Sequence, residues 1–302
     1  MPAVVINHNM FKALLAIAGI LIFAALIWYS GPLEVWNAAT QADPLHLAAA
    51  AACLAVLTLA KGIRLHGLLK HEGTIKKRQA IAVFSFGQLT NQGITTALGE
   101  VAKGALLKKV HGFSFSRAMG TILVERGLDF VFTVFFTAIA IATLRPHWLP
   151  VLAAALLVAG LGLAGAAFAP RQWFAFFKKW PTAYEKATKF RQGITCQSPK
   201  VIGVALALSA VAWLFEGFGN QLIFSGLGVN LPFFTVLGIT CAGLLVGFAT
   251  AVPGGIGSRE ATLVILYSAA GVPTSIVIVQ ALLYRIAMTA ISMAAYAVAQ
   301  KR

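Results

Sequence analysis

The sequence predicts an all-α, polytopic integral membrane protein, a single membrane domain over residues 1–302 with about six full transmembrane helices and two opposed re-entrant hairpins forming an inverted repeat. Three observations lead there. Hydrophobic residues make up 59% of the chain and charged residues only 11%, too few charges to solvate a surface of this size. Several apolar runs reach about 20 residues, the length that crosses a bilayer as a helix. Lys and Arg gather in the short segments between those runs, as cytoplasmic loops of membrane proteins require.

The net charge of +15, from 24 Lys and Arg against nine Asp and Glu, would suggest nucleic acid in a soluble protein. Here the bases sit between membrane runs, where the positive-inside bias and anionic lipid explain them, and no nucleic-acid partner is expected. Cys53, Cys196 and Cys241 are too few and scattered for a disulfide framework or a zinc site. The pair His66 and His71 has no further ligand in its basic surroundings. No metal and no cofactor is expected.

The spans read in order as about 11–30, 45–65, 119–143, 148–169, 201–225 and 275–298, with broken runs at about 80–98 and 232–270. The N-terminal run is too long and too weakly basic at its start for a cleaved signal and is taken as the first helix. Tyr29, Trp36, Trp148 and Trp173 fall near span ends, where aromatic belts form. The loop from Gly31 to Pro44 has Glu34 and Asp43 but no base, whereas Lys61 to Arg78 holds six bases. The first loop is therefore outside and the second inside, which makes the N-terminus cytoplasmic.

The stretch "IAVFSFGQLTNQGITTALGE" has Lys76, Lys77 and Arg78 before it and Lys103, Lys108, Lys109 and Arg117 after it, so both of its ends face the cytoplasm. A single crossing cannot do that. Residues of about 80–110 are read as a hairpin entering from inside and turning near Asn91 to Leu98, with Gln88, Asn91, Gln92, Gly93, Thr95 and Thr96 at the turn. After two crossings, "PRQWFAFFKKWPTAYEKATKFRQG" carries Lys178, Lys179, Lys186 and Lys189 interleaved with aromatics, a cytoplasmic interfacial segment of about 170–197, kinked near Pro181, or a solvated basic loop. The last helix ends at Lys301 and Arg302, inside. Residues of about 232–270 then start and end outside, a second hairpin broken at "AVPGGIGSRE".

The two hairpins share a small-residue turn, an aliphatic-Gly step and a glutamate opening an apolar helix, "TTALGEVAKGALL" beside "PGGIGSREATLVI". Glu100 and Glu260 are separated by the same interval, within one residue, as Arg126 in "LVERGLDF" and Arg285 in "LLYRIAMT". Three crossings between the hairpins invert one relative to the other, and broken segments at matching places in two halves point to a transporter's binding site.

Ionised side chains at bilayer depth cost about 2.5–3.5 kcal/mol each on insertion scales, so they pair or mark a pathway. The candidates are Glu100, Lys103, Glu125, Arg126, Asp129, Glu216, Arg259, Glu260 and Arg285. Glu125 and Asp129 share a helix face, and Arg126 points away from it toward another element. Glu100 and Lys103, three apart, are placed to pair with each other. Gly254, Gly255 and Gly257 precede a helix beginning near Ser258, whose N-terminus attracts anions; Arg259 and Arg285 offer forked contacts to a phosphate oxygen, while Glu260 serves either charge balance or capping. No nucleophile elbow, P-loop, dinucleotide fingerprint or metal cluster is present, so no catalytic residue is assigned and an enzyme is not expected.

The elements "LGEVAKGALL", "TILVERGLDF" and "PGGIGSREATLVILYSAAGV" followed by "YR" resemble the flippase-like membrane region of lysylphosphatidylglycerol synthases and its stand-alone relatives, over nearly the whole chain. The Pro-Gly-Gly-x-Gly-x-x-Glu element is the specific one. The family pattern falls on Gly99, Glu100, Glu125, Arg126, Asp129, Pro253, Gly254, Gly255, Gly257, Arg259, Glu260 and Arg285, with Lys103 where many relatives carry arginine. In full-length synthases a soluble aminoacyl-transferring domain follows this region, and this chain ends at Arg302 without room for it. The resemblance therefore implies translocation or handling of a lipid rather than its aminoacylation, in a bacterial cytoplasmic (inner) membrane, where the loop charges put both termini on the cytoplasmic side. The implied substrate is an anionic or phosphate-bearing lipid, aminoacyl-phosphatidylglycerol or one linked to a polyprenyl phosphate, bound by Glu100, Lys103, Arg126, Arg259, Glu260 and Arg285. Two other readings stand beside it: a membrane enzyme with Glu100 or Glu260 as general base, and a partner subunit of a separately encoded lipid-modifying enzyme docked on about 171–195.

Overall fold

The computed structural model describes residues 20–93, 98–144, 180–250 and 252–300, and among them every regular element is helical. In chain order the helices are α1 (Ile20–Tyr29), α2 (Pro32–Thr40), α3 (Pro44–Leu69), α4 (Lys77–Gly93), α5 (Leu98–His111), α6 (Phe115–Leu144), α7 (Pro181–Thr195), α8 (Pro199–Gly226), α9 (Phe233–Ala249), α10 (Ser258–Ala269) and α11 (Thr274–Gln300).

Polar residues and prolines set where the long helices begin. The Asp43 carboxylate accepts from the Leu45 N–H at 2.9 Å, and Pro44 takes the first helical position, where its missing N–H is no loss. Ser198 and Pro199 repeat the device at α8, with the Val201 N–H donating to the serine oxygen at 3.3 Å. Pro181 likewise opens α7. The earlier part of the expected interfacial segment, 170–179, lies outside the described residues.

Among the described residues, α3, α6, α8 and α11 are long and apolar enough to cross a membrane, and α1 with α2, bent by 85°, make a fifth span if taken together. The expected span at 148–169 and the start of that at 11–30 lie outside the described residues. Two expectations change. The stretch read as an outer loop after Gly31 is the helix α2, started by Pro32 behind a glycine at φ 78. The basic segment read as loop from Lys61 is helical to Leu69, so Lys61 and Arg64 belong to α3 and are not loop charges.

Both broken runs fold back on themselves as helix pairs. In the first, Gly87 lies against Lys103 and Gly99, and the Gly99 N–H donates to Asn91 Oδ1 at 2.9 Å, so α4 and α5 run antiparallel. In the second, Gly243 lies against Leu263, and Tyr267 Oη donates to the Val236 carbonyl at 3.1 Å, so α9 and α10 run antiparallel. Each pair has its own apolar core: Val83, Phe84, Leu107 and Ile122 in the first, Val236, Ile239, Leu263 and Tyr267 in the second.

The two pairs are exchanged across the molecule. α3 and α8, the helices preceding the pairs, pack along each other; α4 lies on α11, the helix that follows the other pair, and α9 lies on α6. The tips meet, with Gly254 against the Gln92 backbone and Thr289 Oγ1 donating to Gln92 Oε1 at 2.6 Å. Lipid tails give apolar helix faces no reason to associate, so such packing depends on small residues that let backbones approach. Gly120 of α6 against the Phe190 carbonyl of α7, and Gly193 of α7 against Arg117, are such an approach, since a Cβ at either would overlap the opposing backbone. Outward faces stay apolar: Val56, Leu59, Val131, Phe135, Val211 and Ile286 are all exposed.

Candidate functional site

Where the hairpin tips meet α3, α6, α8 and α11, the structure has an open-sided cavity of about 830 Å³. Its polar wall includes Lys61, Gln88, Asn91, Gln92, Glu100, Arg126, Asp129, Thr133, Glu216, Arg259, Tyr284 and Arg285; its apolar wall includes Phe130, Trp213 and the end of α9 from Leu244 to Ala249. The charges are not equivalent, because most of them hold one another.

One network centres on α6. Arg64 is fully buried and reaches Asp129 at 2.7 Å and Glu125 at 3.1 Å, with a further bond to Ser209 Oγ at 2.7 Å that ties in α8. Lys103 bridges Glu125 at 2.8 Å and Glu100 at 2.6 Å. Arg126 Nε stands 3.1 Å from Glu100 Oε1, and Lys61 Nζ stands 3.7 Å from Asp129 and lies over the Trp213 ring. Charges this deep need partners, and removing one partner of such a pair typically costs about 3–5 kcal/mol. The network therefore fastens α3, α5, α6 and α8 together, with Lys61, Glu100, Arg126 and Asp129 on the cavity wall and Arg64, Lys103 and Glu125 behind them.

A second, smaller set is built on the tip of the other hairpin. Gly254, Gly255 and Gly257 have φ of 61, 62 and 83, the left-handed region that a side chain disfavours, and they turn the chain in a single 3-10 turn from Pro253 into α10. Glu260 then reaches back, accepting the Gly257 N–H at 2.8 Å on Oε2, so it caps the helix. Its other oxygen accepts from Arg285 Nη2 at 2.7 Å and Nε at 2.9 Å, and the same guanidinium donates to the Gly254 carbonyl at 3.1 Å. Both sequence readings of Glu260, cap and charge partner, hold at once.

Arg259 stands apart. It is buried, lines the cavity and lies over the Tyr284 ring at 4.5 Å, and its Nε, itself buried, has no hydrogen-bond partner. All nine Asp and Glu of the chain lie within the described residues, and none of their oxygens comes within ion-pairing distance of Arg259. Arg259 does not meet Glu100.

The residues singled out by sequence thus separate. Glu100, Arg126, Asp129, Gly254, Gly255, Arg259 and Arg285 line the cavity. Lys103, Glu125 and Glu260 lie behind it as partners of lining charges, and Gly99 packs under Asn91. Sequence reading missed Lys61 and Arg64 as membrane-depth charges and gave no role to Tyr284 or Trp213. The signal for the first two was there: they stand three apart and are followed by a further apolar turn, "LHGLL", that continues the helix.

The chain matches the family model described as the lysylphosphatidylglycerol synthase transmembrane region over residues 16–295. Similar proteins include two from Methanothermobacter thermautotrophicus, each described as a UPF0104 membrane protein. One is 24% identical, covering 87% of both chains. The other is 27% identical, covering 85% of this chain and 83% of its own length. A UPF0104 membrane protein of Pyrococcus horikoshii is 22% identical, covering 91% of this chain and 92% of its own. No solved structure matches the chain. A family match over almost the full length, on a chain whose helices are long and apolar enough for several crossings, makes this a multi-pass membrane protein that belongs to the lysylphosphatidylglycerol synthase transmembrane-region family.

Proposed function

We propose that the protein moves a phosphate-bearing lipid between the leaflets of a cytoplasmic (inner) membrane, with its headgroup held in the central cavity against Arg259 and its chains along the apolar wall at the end of α9. The observation that carries this reading is Arg259 itself, a buried cation at the cavity wall that no carboxylate of the chain neutralises. A guanidinium at that depth calls for an anion, and a phosphate oxygen matches its forked donors. The family description supports a lipid-related role. Val246 and Phe248, exposed apolar residues in the cavity wall, suit a substrate with both a polar and a hydrocarbon part.

In this reading the α4/α5 pair enters from the cytoplasmic face and the α9/α10 pair from the other, an inverted repeat with both termini cytoplasmic. The exchanged packing of α4 on α11 and α9 on α6 supports it, since a two-fold relation produces that pattern. Glu100 and Glu260 both have guanidinium partners, which favours a binding role over general-base catalysis and over an enzyme. A separately encoded lipid-modifying enzyme is the partner this role implies. The test is reconstitution in liposomes with fluorescent phosphatidylglycerol: movement between leaflets is expected from the intact protein and lost in Arg259→Gln, and movement unchanged by that substitution would sink the assigned site.

A further inference from the structure

Four carboxylates at membrane depth each hold a base: Asp129 with Arg64 at 2.7 Å, Glu125 with Lys103 at 2.8 Å, Glu100 with Arg126 at 3.1 Å and Glu260 with Arg285 at 2.7 Å. Those pairs cancel. Three further charges stand on the cavity wall among the described residues, Lys61, Glu216 and Arg259. Glu216 is buried and accepts from the Tyr284 hydroxyl and, at 3.4 Å, from Asn220 Nδ2, so its carboxylate is met by neutral donors. Tyr284 touches Arg259 as well, with its ring against the guanidinium at 4.5 Å. Lys61 lies over Trp213 and stands 3.7 Å from an Asp129 already taken by Arg64. Beyond the four pairs the wall therefore carries two bases against one acid, an excess of one positive charge.

We propose that the cavity selects a headgroup with a single net negative charge, one phosphodiester on an uncharged remainder, over pyrophosphates and over headgroups whose ammonium cancels the phosphate. This rests on the headgroup reading above and chooses among the lipids that reading allows. A charge in a poorly solvated cavity is costly until an opposite charge meets it. One phosphodiester beside Arg259, whose buried Nε has no hydrogen-bond partner, brings the wall to neutrality. A second phosphate would find no free cation, because Arg64, Lys103, Arg126 and Arg285 are held by carboxylates of the chain. An ammonium group would restore the positive excess that the phosphate had removed. One unit charge about 10 Å away changes affinity about tenfold at an effective dielectric constant near 20, so a mismatch of one charge is enough to discriminate.

The experiment is calorimetry on the purified full chain in a non-ionic detergent at neutral pH, with three short-chain diacyl lipids: phosphatidylglycerol, with one negative charge; phosphatidylcholine, with no net charge; and CDP-diacylglycerol, a pyrophosphate diester with two. Phosphatidylglycerol is expected to bind about tenfold tighter than either of the others. Two variants separate charge from headgroup size, since each alters the wall by one unit. Glu216→Gln should raise the affinity for the pyrophosphate lipid relative to phosphatidylglycerol about tenfold, and Lys61→Met should lower the affinity for phosphatidylglycerol relative to phosphatidylcholine about tenfold. Binding of either other lipid by the unsubstituted chain as tightly as phosphatidylglycerol, or more tightly, overturns the proposal without any variant, and so do ratios that neither variant moves. Dimethyl phosphate, the same charge without chains, is expected to bind far more weakly. Its binding as tightly as the lipid, no binding of any of the three lipids, or phosphatidylglycerol binding indifferent to Arg259→Gln instead overturns the headgroup reading on which the proposal stands.

Discussion

Glu260 and Arg285 are joined at 2.7 Å, and Glu100 and Arg126 at 3.1 Å, so each hairpin is bonded through the glutamate that opens its second arm to an arginine on the helix that follows. The relation repeats in place and in chemistry. It differs in company: Glu100 and Arg126 sit in a dense cluster with Lys103, Glu125 and Asp129, whereas Glu260 and Arg285 share only the Gly257 amide and the Gly254 carbonyl. The second latch is therefore the more exposed to substitution.

Glu260→Gln leaves the half-buried Arg285 guanidinium at the cavity wall without a counter-charge and weakens the cap on α10. Thermal unfolding in detergent should report a loss of about 3–5 kcal/mol, the usual cost of breaking a buried pair. The double variant with Arg285→Gln should recover part of that loss, because the two single effects share one interaction.

Arg64 and Arg259 are both buried arginines, but only Arg64 is paired with carboxylates. Arg64→Met removes the fully buried partner that Glu125 and Asp129 share, leaving Glu125 to Lys103 and Asp129 to its longer contacts with Lys61 and Arg126, and should destabilise the protein by about 3–5 kcal/mol. Arg259→Gln breaks no ion pair, so its midpoint of unfolding should stay near that of the unsubstituted chain while lipid movement is lost.

The tip turn depends on backbone conformation as well as charge. At Gly254 a side chain would meet both a positive φ of 61 and the Gln92 backbone of the other hairpin. Gly254→Ala should cost about 1–2 kcal/mol from the left-handed conformation, and more from that contact. Gly228, at φ 78 with open space around it, is the control, and its alanine variant should show only the conformational part. Unfolding midpoints of the two variants in one detergent give the comparison.

Outside the membrane-spanning helices, burial raises the Glu72 carboxyl above its ordinary value, against the opposing pull of the Thr121 hydroxyl, which donates to it at 2.7 Å, and of Arg117. A group whose folded value is raised contributes stability below its unfolded value and loses it as pH rises through the folded one. Unfolding midpoints followed from acid toward neutral pH should decline more in the unsubstituted chain than in Glu72→Gln.

Much of the site was legible because an apolar background makes each charge conspicuous. Glu100, Arg126, Arg259, Glu260 and Arg285 stand out against runs of Leu, Val and Ala, and three glycines before Ser258 mark a helix start that the structure has at that residue. Pairing was less legible. Spacing sets the face a side chain leaves from and says little about what it meets, so nothing in "GSRE" tells that Glu260 takes Arg285 while Arg259 keeps no carboxylate. Lys61 and Arg64 were misread for a related reason: bases near the end of an apolar run look like the first loop charges, and only their partners on α6, far along the chain, show them to be inside. The helix α2 was missed because Pro, Glu, Trp and Asn in a short polar stretch read as loop, and its helical form depends on Gly31 and Pro32 at its start and on packing against α11.

Whether Arg259 holds an anion in the cavity is decided by movement of fluorescent phosphatidylglycerol between leaflets in proteoliposomes, comparing the unsubstituted chain with Arg259→Gln at equal protein content and equal unfolding midpoint. Transfer is expected from the first, and transfer reduced to the level of protein-free vesicles from the second. Equal transfer by both would contradict an anion held on Arg259.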